Sequence, residues 1–152
     1  MMTGTPKKIS MGCDHAGYNL KKYLAEKLAA AGYEIVDVGT DSTDRVDYPV
    51  YGREAAEKVA AGVCDRGILV CGSGVGMSIS ANKVRGVRAV LCNEPFTAKL
   101  SREHNDSNVL CVGERLTGTE MAWEIVETWL NTEHLGGRHA QRVAMIETEI
   151  DE

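Results

Sequence analysis

Short apolar runs alternate with amphipathic helical patterns along most of this chain of 152 residues. The alternation constrains the fold strongly, because it is typical of a parallel sheet with helices on both faces. Strands that are buried on both faces are near-continuous apolar runs, as these are. We predict an α/β, doubly wound, flavodoxin-like (Rossmann-like) fold with five parallel strands in the order 2-1-3-4-5. The predicted strands cover residues 8–13, 33–39, 66–72, 87–92 and 108–113, and the predicted helices cover 18–32, 49–62, 76–84, 95–104 and 118–131, with a last amphipathic helix after Gly137.

This topology also predicts where a ligand binds. In doubly wound sheets, ligands bind beyond the carboxyl ends of the strands, where the winding direction reverses. In the predicted order the reversal lies between the first and third strands, which lead into residues 13–15 and 71–74. We therefore expect Cys71 to lie beside Asp14 and His15.

Composition restricts the class of protein. With 43% hydrophobic residues the chain can bury one ordinary core, which predicts a single domain over residues 7–152. A net charge of −5 argues against nucleic acid or an anionic membrane as the main partner. No apolar run reaches the roughly 18 residues of a membrane span. The start of the chain has no apolar signal core, so we expect a cytoplasmic protein with a disordered lead over residues 1–6.

The five cysteines also favour a cytoplasmic location. Their number is odd and no CxxC pattern occurs, which argues against a disulfide framework or a zinc site. Reduced thiols in a cytosolic chain fit better.

The sequence GSGVG follows the third predicted strand. Its alternating glycines, Gly72, Gly74 and Gly76, let backbone amides approach an anion, and the next helix adds its N-terminus. The spacing matches neither a nucleoside-triphosphate P-loop nor a dinucleotide fingerprint. On the residues alone, a tight strand-to-helix turn without a ligand explains the pattern equally well.

Cys71 is the last residue before these glycines, so we expect its thiol at the mouth of the crevice. A helix N-terminus favours a thiolate, which can act as a nucleophile or as a general base. A base that abstracts a proton also needs an anion hole for the resulting enolate, and the glycine amides supply one. A buried structural thiol is the simpler alternative. A redox thiol is disfavoured because no resolving cysteine is near in sequence.

Polar residues in other segments add candidate groups. Asp14 can accept from a sugar hydroxyl or cap the helix that follows it, and His15 can donate to a phosphate or move a proton. His104 and Asn105 end the fourth predicted helix, where a histidine on the surface is also favoured by the helix dipole.

The segment after residue 131 has no place in the five-stranded sheet. It contains Arg138 and Arg142, which lie four residues apart and project from one face of a helix. Two guanidinium groups on one face suit a phosphate dianion. A solvated basic face is the alternative.

Five stretches of the chain together match one known family. They are GCDHAGY, VDYP, GILVCGSGVGMSISANKV, RAVLCNEPFTAKLSREHNDSNVL and GGRHAQRV. The match they indicate spans roughly residues 8–143, nearly the whole chain. On these motifs the chain resembles the sugar-phosphate isomerases of the ribose-5-phosphate isomerase type B family and its galactose-6-phosphate isomerase relatives.

The resemblance implies an aldose–ketose isomerase of carbohydrate metabolism, in the pentose phosphate pathway, that uses no metal and no cofactor and interconverts ribose 5-phosphate and ribulose 5-phosphate. It implies that Cys71 is the base that moves a proton between C2 and C1 through a cis-enediolate. It also implies that His104 helps to open the furanose ring, with Asp14 as its helper. Ser73, which is often threonine in the family, would relay a proton. The implied substrate-binding residues are His15, Tyr48, Gly72, Gly74, Val75, Gly76, Asn105, Arg115, Arg138, His139 and Arg142.

The family also implies a homodimer or a dimer of dimers with the site between subunits. Residues 132–152 would then form a C-terminal helical extension that reaches the partner's pocket. Some members lack the cysteine and carry a glutamate shortly after the glycine loop. This chain has Cys71 and no carboxylate over residues 75–78, so it falls with the members that use cysteine.

Two other functions stay open at this point. The chain can be an allose- or galactose-6-phosphate isomerase, which differs only in substrate. It can also be a flavodoxin-like module that binds an anion or a protein without catalysis.

Overall fold

The structure, a computed structural model, describes residues 6–148. Residues 1–5 of the predicted disordered lead lie outside this range, as do residues 149–152 of the predicted extension, and Pro6 is buried. The strands are β1 Lys8–Cys13, β2 Glu34–Asp37, β3 Arg66–Cys71, β4 Ala89–Leu91 and β5 Val109–Gly113. The helices are α1 Tyr18–Ala30, α2 Tyr48–Ala60, α3 Val75–Asn82, α4 Pro95–Asn105, α5 Thr119–Leu130 and α6 Arg138–Ile146. None of these helices is long and apolar enough to cross a membrane.

All four strand pairings are parallel, and the order is β2-β1-β3-β5-β4. The predicted fold class is confirmed, but the predicted order of the last two strands is wrong. The five residues of β5 are all buried, so it fits between two strands. The three residues of β4 are partly exposed, as suits an edge. At that edge the Asn82 side chain bonds to both the amide and the carbonyl of Ala89.

Two separate cores cover the two faces of the sheet. Successive strand residues point to opposite faces. Ile68 and Val70 of β3 pack in the core that includes α1, α4 and α5. Leu69 and Cys71 pack in the core that includes α2 and α3. The side chain of Cys71 therefore lies on the side of the sheet that α2 and α3 cover.

The last helix, α6, lies outside both cores. It packs against α4, and none of its residues is buried. Near its end, Glu147 accepts a hydrogen bond of 2.6 Å from Arg88, which also bonds to the carbonyls of Asn105 and Asp106. Met145 and Ile146 of α6 are exposed apolar side chains. Polar contacts thus hold the end of the helix, where Met145 and Ile146 are exposed.

Close backbone contact fixes how α1 approaches the sheet. A methyl group on Gly17, the residue before α1, would overlap the backbone carbonyl of Val70 and lie 2.8 Å from its Cγ1 atom. The amide of Asp14 also donates to the Val70 carbonyl, at 3.3 Å. Only glycine at position 17 therefore lets the segment after β1 lie directly on the end of β3.

We predict that Gly17→Ala destabilises the protein by about 1–3 kcal/mol, because the added methyl group meets backbone that cannot move aside. Gly118→Ala is a matched control, since Gly118 also precedes a helix but has no atom within 4 Å of an added Cβ. The control should lose at most about 1 kcal/mol, the usual loss for alanine at a helix N-cap. Urea unfolding of both variants measures the difference. Equal losses would contradict the proposed contact.

Candidate active site

A cavity of about 470 Å³ opens at the carboxyl ends of β1 and β3. The predicted neighbours therefore meet, since Asp14 and His15 line the same cavity as Cys71. Its other lining residues are Ala16, Tyr48, Gly72, Ser73, Val75, Gly76, Ile79, Arg115 and Leu116. Sequence reasoning missed Ala16, Ile79 and Leu116. Ile79 could have been found, because it lies one helical turn after Val75, whereas nothing in the sequence distinguishes Leu116 from other exposed leucines.

The thiol of Cys71 is held between the core and this cavity. The side chain is only 5% exposed, yet it contributes to the cavity wall. The amide of Gly74 donates to its Sγ atom at 3.1 Å. Gly74 has φ +79°, a left-handed conformation that favours glycine and turns this amide back toward the sulfur. An N–H that points at the sulfur stabilises negative charge on it, so the arrangement suits a thiolate.

The other four cysteines have different surroundings. Burial raises the pKa of the Cys13 and Cys92 thiols to about 12, raises that of Cys64, and raises that of Cys111 well above the ordinary value. All four are buried and free. They behave as small apolar side chains of the core.

The glycine loop already uses two of its own amides. The Gly74 amide points to Cys71, and the Val75 amide donates to the Ser73 hydroxyl at 3.2 Å. A substrate oxygen that binds these amides must therefore share or replace the internal bonds. The anion hole that the resemblance implies stays a prediction.

Asp14 and His15 are oriented by backbone amides. The Asp14 Oδ1 atom accepts from the amides of Ala16 at 3.0 Å and Gly17 at 3.1 Å, which closes the turn that leads into α1. The expectation that Asp14 caps α1 is wrong, because the N-cap of that helix is Gly17 and both of these amides precede its first helical residue. The Nδ1 atom of His15 accepts from the Val46 amide at 3.2 Å. A neutral His15 with this bond carries its proton on Nε2. Both residues line the cavity, so these backbone contacts are compatible with substrate contact.

Tyr48 and Arg115 form two walls of the cavity. The Tyr48 ring lies so close to the Gly76 backbone that a Cβ there would be 2.7 Å from two ring carbons. The Nη1 atom of Arg115 lies 3.2 Å from the Cβ position of Gly72. The Tyr48 ring therefore needs glycine at position 76, whereas the Arg115 side chain packs closely against Gly72 and could give by a few tenths of an ångström.

The remaining predicted residues form a second group at the ends of α4 and α6. They line a cavity of about 390 Å³ together with Val143 and Ile146, and they are His104, Asn105, Arg138, His139 and Arg142. The rings of His104 and His139 are stacked, with centroids 4.3 Å apart and planes inclined by 10°. Desolvation lowers the pKa of His139, and the charges of His104, Arg138 and Arg142 lower it further.

The structure thus divides the predicted site residues between two cavities of one chain. The second holds the five residues of α4 and α6, and the first holds the others except Gly74, namely Asp14, His15, Tyr48, Cys71, Gly72, Ser73, Val75, Gly76 and Arg115. Gly74 lines neither cavity and contacts the site through its amide, which donates to the Cys71 sulfur. Neither is a metal-ligand cluster: within residues 6–148, no group of three or more His, Cys, Asp and Glu side chains could hold a metal ion.

Comparisons with known proteins agree with this geometry. The sequence profile of a family described as Ribose/Galactose Isomerase matches residues 9–146. Ribose-5-phosphate isomerase B of Escherichia coli K12 is 53% identical over 140 residues, which are 92% of this chain and 94% of that protein. Galactose-6-phosphate isomerase subunit LacB of Clostridium acetobutylicum is 40% identical over 135 residues, which are 89% of this chain and 78% of that protein.

Solved structures give the same result. The structure of ribose-5-phosphate isomerase B from Clostridium thermocellum superposes with a TM-score of 0.91 at 53% sequence identity, covering 92% of this chain and 95% of that one. The range that the family profile matches, residues 9–146, includes the lining residues of both cavities. The sequence motifs, the sheet and these relatives agree, and the chain belongs to the Ribose/Galactose Isomerase family.

Proposed function

We propose that this protein is an aldose–ketose isomerase that interconverts ribose 5-phosphate and ribulose 5-phosphate. The observation that carries the proposal is the Cys71 thiol, which accepts the Gly74 amide at the wall of a cavity lined also by Asp14, His15 and Arg115. Proton abstraction next to a carbonyl needs a base, donors for the developing oxyanion and a fixed substrate. All three requirements can be met by residues of the two cavities.

In the proton-transfer step, Cys71 is the single base that removes a proton from one carbon of the sugar and returns it to the next. The Cys71 thiolate takes the proton from C2 of the open-chain aldose, and the electron pair of that bond forms the C1–C2 double bond of the enediolate. The carbonyl oxygen at C1 becomes the oxyanion. The same thiol returns the proton to C1 while the C2 oxygen becomes the ketone. The Ser73 hydroxyl, which accepts from the Val75 amide and lines the same cavity, relays the proton between the two oxygens.

Ring opening precedes this step, because ribose 5-phosphate is mainly a furanose in water. The bond between C1 and the ring oxygen breaks, the ring oxygen takes a proton from His104, and Asp14 accepts the proton of the C1 hydroxyl. Asn105 contacts the sugar hydroxyls. Ring opening therefore needs an acid and a base on opposite sides of the sugar. In this proposal His104 of the second cavity is the acid and Asp14 of the first cavity is the base.

The phosphate is held by positive charge at a distance from the reacting carbons. Arg138 and Arg142 lie on one face of α6 and line the second cavity with His139. His15 and Arg115 contribute from the first cavity. Binding energy from this remote group can position C1 and C2 against the base.

We propose further that the complete site forms between two copies of the chain. Cys71 and His104 line different cavities of one chain, so one sugar needs the first cavity of one copy and the second cavity of another. Val75, Ile79 and Leu116 surround the first cavity as exposed apolar side chains. Such a patch suits an interface. Residues 132–148, the described part of the predicted extension, then reach from the single domain toward the partner, in a homodimer or a dimer of dimers.

The cell compartment and the substrate range complete the proposal. We place the protein in the cytoplasm, since its five cysteines are free and buried.

A six-carbon sugar phosphate is the second candidate substrate, because a named relative is a galactose-6-phosphate isomerase subunit. Kinetics on ribose, allose and galactose phosphates side by side decide between them.

Replacing the base should abolish most of the turnover while leaving the binding site intact. We predict that Cys71→Ala lowers kcat by about 10²- to 10⁴-fold, the usual contribution of a general base. Calorimetry should still detect ribose 5-phosphate binding, because the phosphate contacts remain. Cys64→Ala is the control, since Cys64 is a buried thiol remote from both cavities and should leave kcat unchanged. Near wild-type turnover in Cys71→Ala would reject the base assignment.

Mixed dimers test the placement of the site between copies. Cys71→Ala and His104→Ala chains with different affinity tags are coexpressed, and dimers that carry both tags are purified. In a two-fold symmetric dimer one site then has both residues intact and the other has neither, so we predict about half of the wild-type activity. Activity no higher than that of either single variant would show that Cys71 and His104 act within one chain.

A further inference from the structure

His139 and His104 form a pair whose geometry goes beyond shared phosphate binding. Their rings lie nearly parallel, with centroids 4.3 Å apart. His104 is in the last turn of α4, and His139 is the second residue of α6. The contact therefore joins the two helices at the point where both line the second cavity.

The stack restricts how the His104 ring can turn. A parallel ring at this distance covers one face of the imidazole, so rotation out of the plane would bring the two rings into collision. His104 can then present only the edge of its ring, where the nitrogens are, to a substrate. Within α6 the amide of His139 is bonded to the Gly136 carbonyl at 3.1 Å, which fixes the backbone of the second ring as well.

Charges around the pair favour a neutral His139. Desolvation lowers its pKa, and the positive charges of His104, Arg138, Arg142 and His134 act in the same direction. These groups belong to α4, to α6 and to the segment between α5 and α6. With His139 neutral, the stack places no second positive charge against the ring of His104.

We propose that His139 is a positioning residue, whose ring stacks on His104 and holds the edge of the His104 ring toward the ring oxygen of the furanose substrate. This inference rests on the proposed function, because it assumes that His104 opens the sugar ring. It changes the role of His139 from a phosphate ligand to a support for the ring-opening acid. It also gives the first turn of α6 two tasks, phosphate binding by the arginines and orientation of His104 by His139.

Two assays distinguish a phosphate-binding role of His139 from a role in positioning His104. Ribulose 5-phosphate has its C5 oxygen blocked by the phosphate, so it cannot close a furanose ring on its C2 ketone and reaches the site as an open chain. Exchange of its C1 proton with solvent needs Cys71 and the phosphate contacts but no ring opening. A phosphate ligand would therefore affect both the exchange and the isomerisation of ribose 5-phosphate, whereas a support for His104 affects the isomerisation alone.

The experiment compares His139→Ala and His139→Phe with the wild type in both assays. We expect His139→Ala to lower kcat on ribose 5-phosphate by about 10- to 100-fold, the loss that misplacement of a reacting group produces. Deuterium incorporation at C1 of ribulose 5-phosphate in D₂O should stay within about threefold of wild type, with KM little changed. His139→Phe keeps a flat ring without a charge and should restore most of kcat. Gln141→Ala, an exposed position on the same helix, is the control and should match the wild type.

A double-mutant cycle tests whether His139 acts through His104. In a His104→Ala background, His139→Ala should change kcat on ribose 5-phosphate by less than about twofold, because residues that act as a unit are not additive. Additive losses overturn the inference. If His139→Ala slows isomerisation and exchange equally and raises KM, the inference is overturned in favour of phosphate binding. If His139→Phe is as slow as His139→Ala, the role of the stack is overturned. If the wild-type protein neither isomerises nor exchanges, or if Cys71→Ala exchanges normally, the proposed function itself fails.

Discussion

The site depends on close contact between the ends of β1 and β3. These strands pair in register from Ile9 with Arg66 to Cys13 with Val70. Beyond the last pair, the Asp14 amide still bonds to the Val70 carbonyl. The chain after β1 therefore turns into α1 directly above the end of β3, at the reversal of the winding direction where parallel sheets open a crevice. Without this contact Asp14 and His15 would be carried away from Cys71.

Much of this arrangement could be predicted from the sequence, because it follows from periodicity and from the position of glycines. The apolar runs predicted five parallel strands, and the strand ends predicted the meeting of Asp14, His15 and Cys71. The order of β4 and β5 was predicted wrongly, because both runs are short and apolar and only tertiary packing decides which of them is enclosed. The order changes one end of the sheet and leaves the reversal between β1 and β3 in place, so the predicted site was unaffected.

Other features of the site have no signal in the sequence. The Val46 amide selects a tautomer of His15 through a contact between residues 31 positions apart. The Gly74 amide bonds to the Cys71 sulfur because of one backbone angle, which glycine permits but does not require. The division of the candidate residues between two cavities depends on where α6 packs. In sequence, Arg138 and Arg142 predicted a basic face suited to a phosphate, without indicating which cavity that face lines.

The surroundings of the five thiols explain why one of them can do chemistry. Four lie where burial raises the pKa, so they stay protonated and pack as apolar groups. Cys71 lies at the end of a buried strand, where the next residues leave the sheet and their amides are no longer needed for strand pairing. The Gly74 amide can therefore point at the sulfur instead. A cysteine two residues earlier in β3 would have been enclosed by the neighbouring strands, so the end of the strand is the position at which one thiol combines core support, an amide donor and access to a ligand.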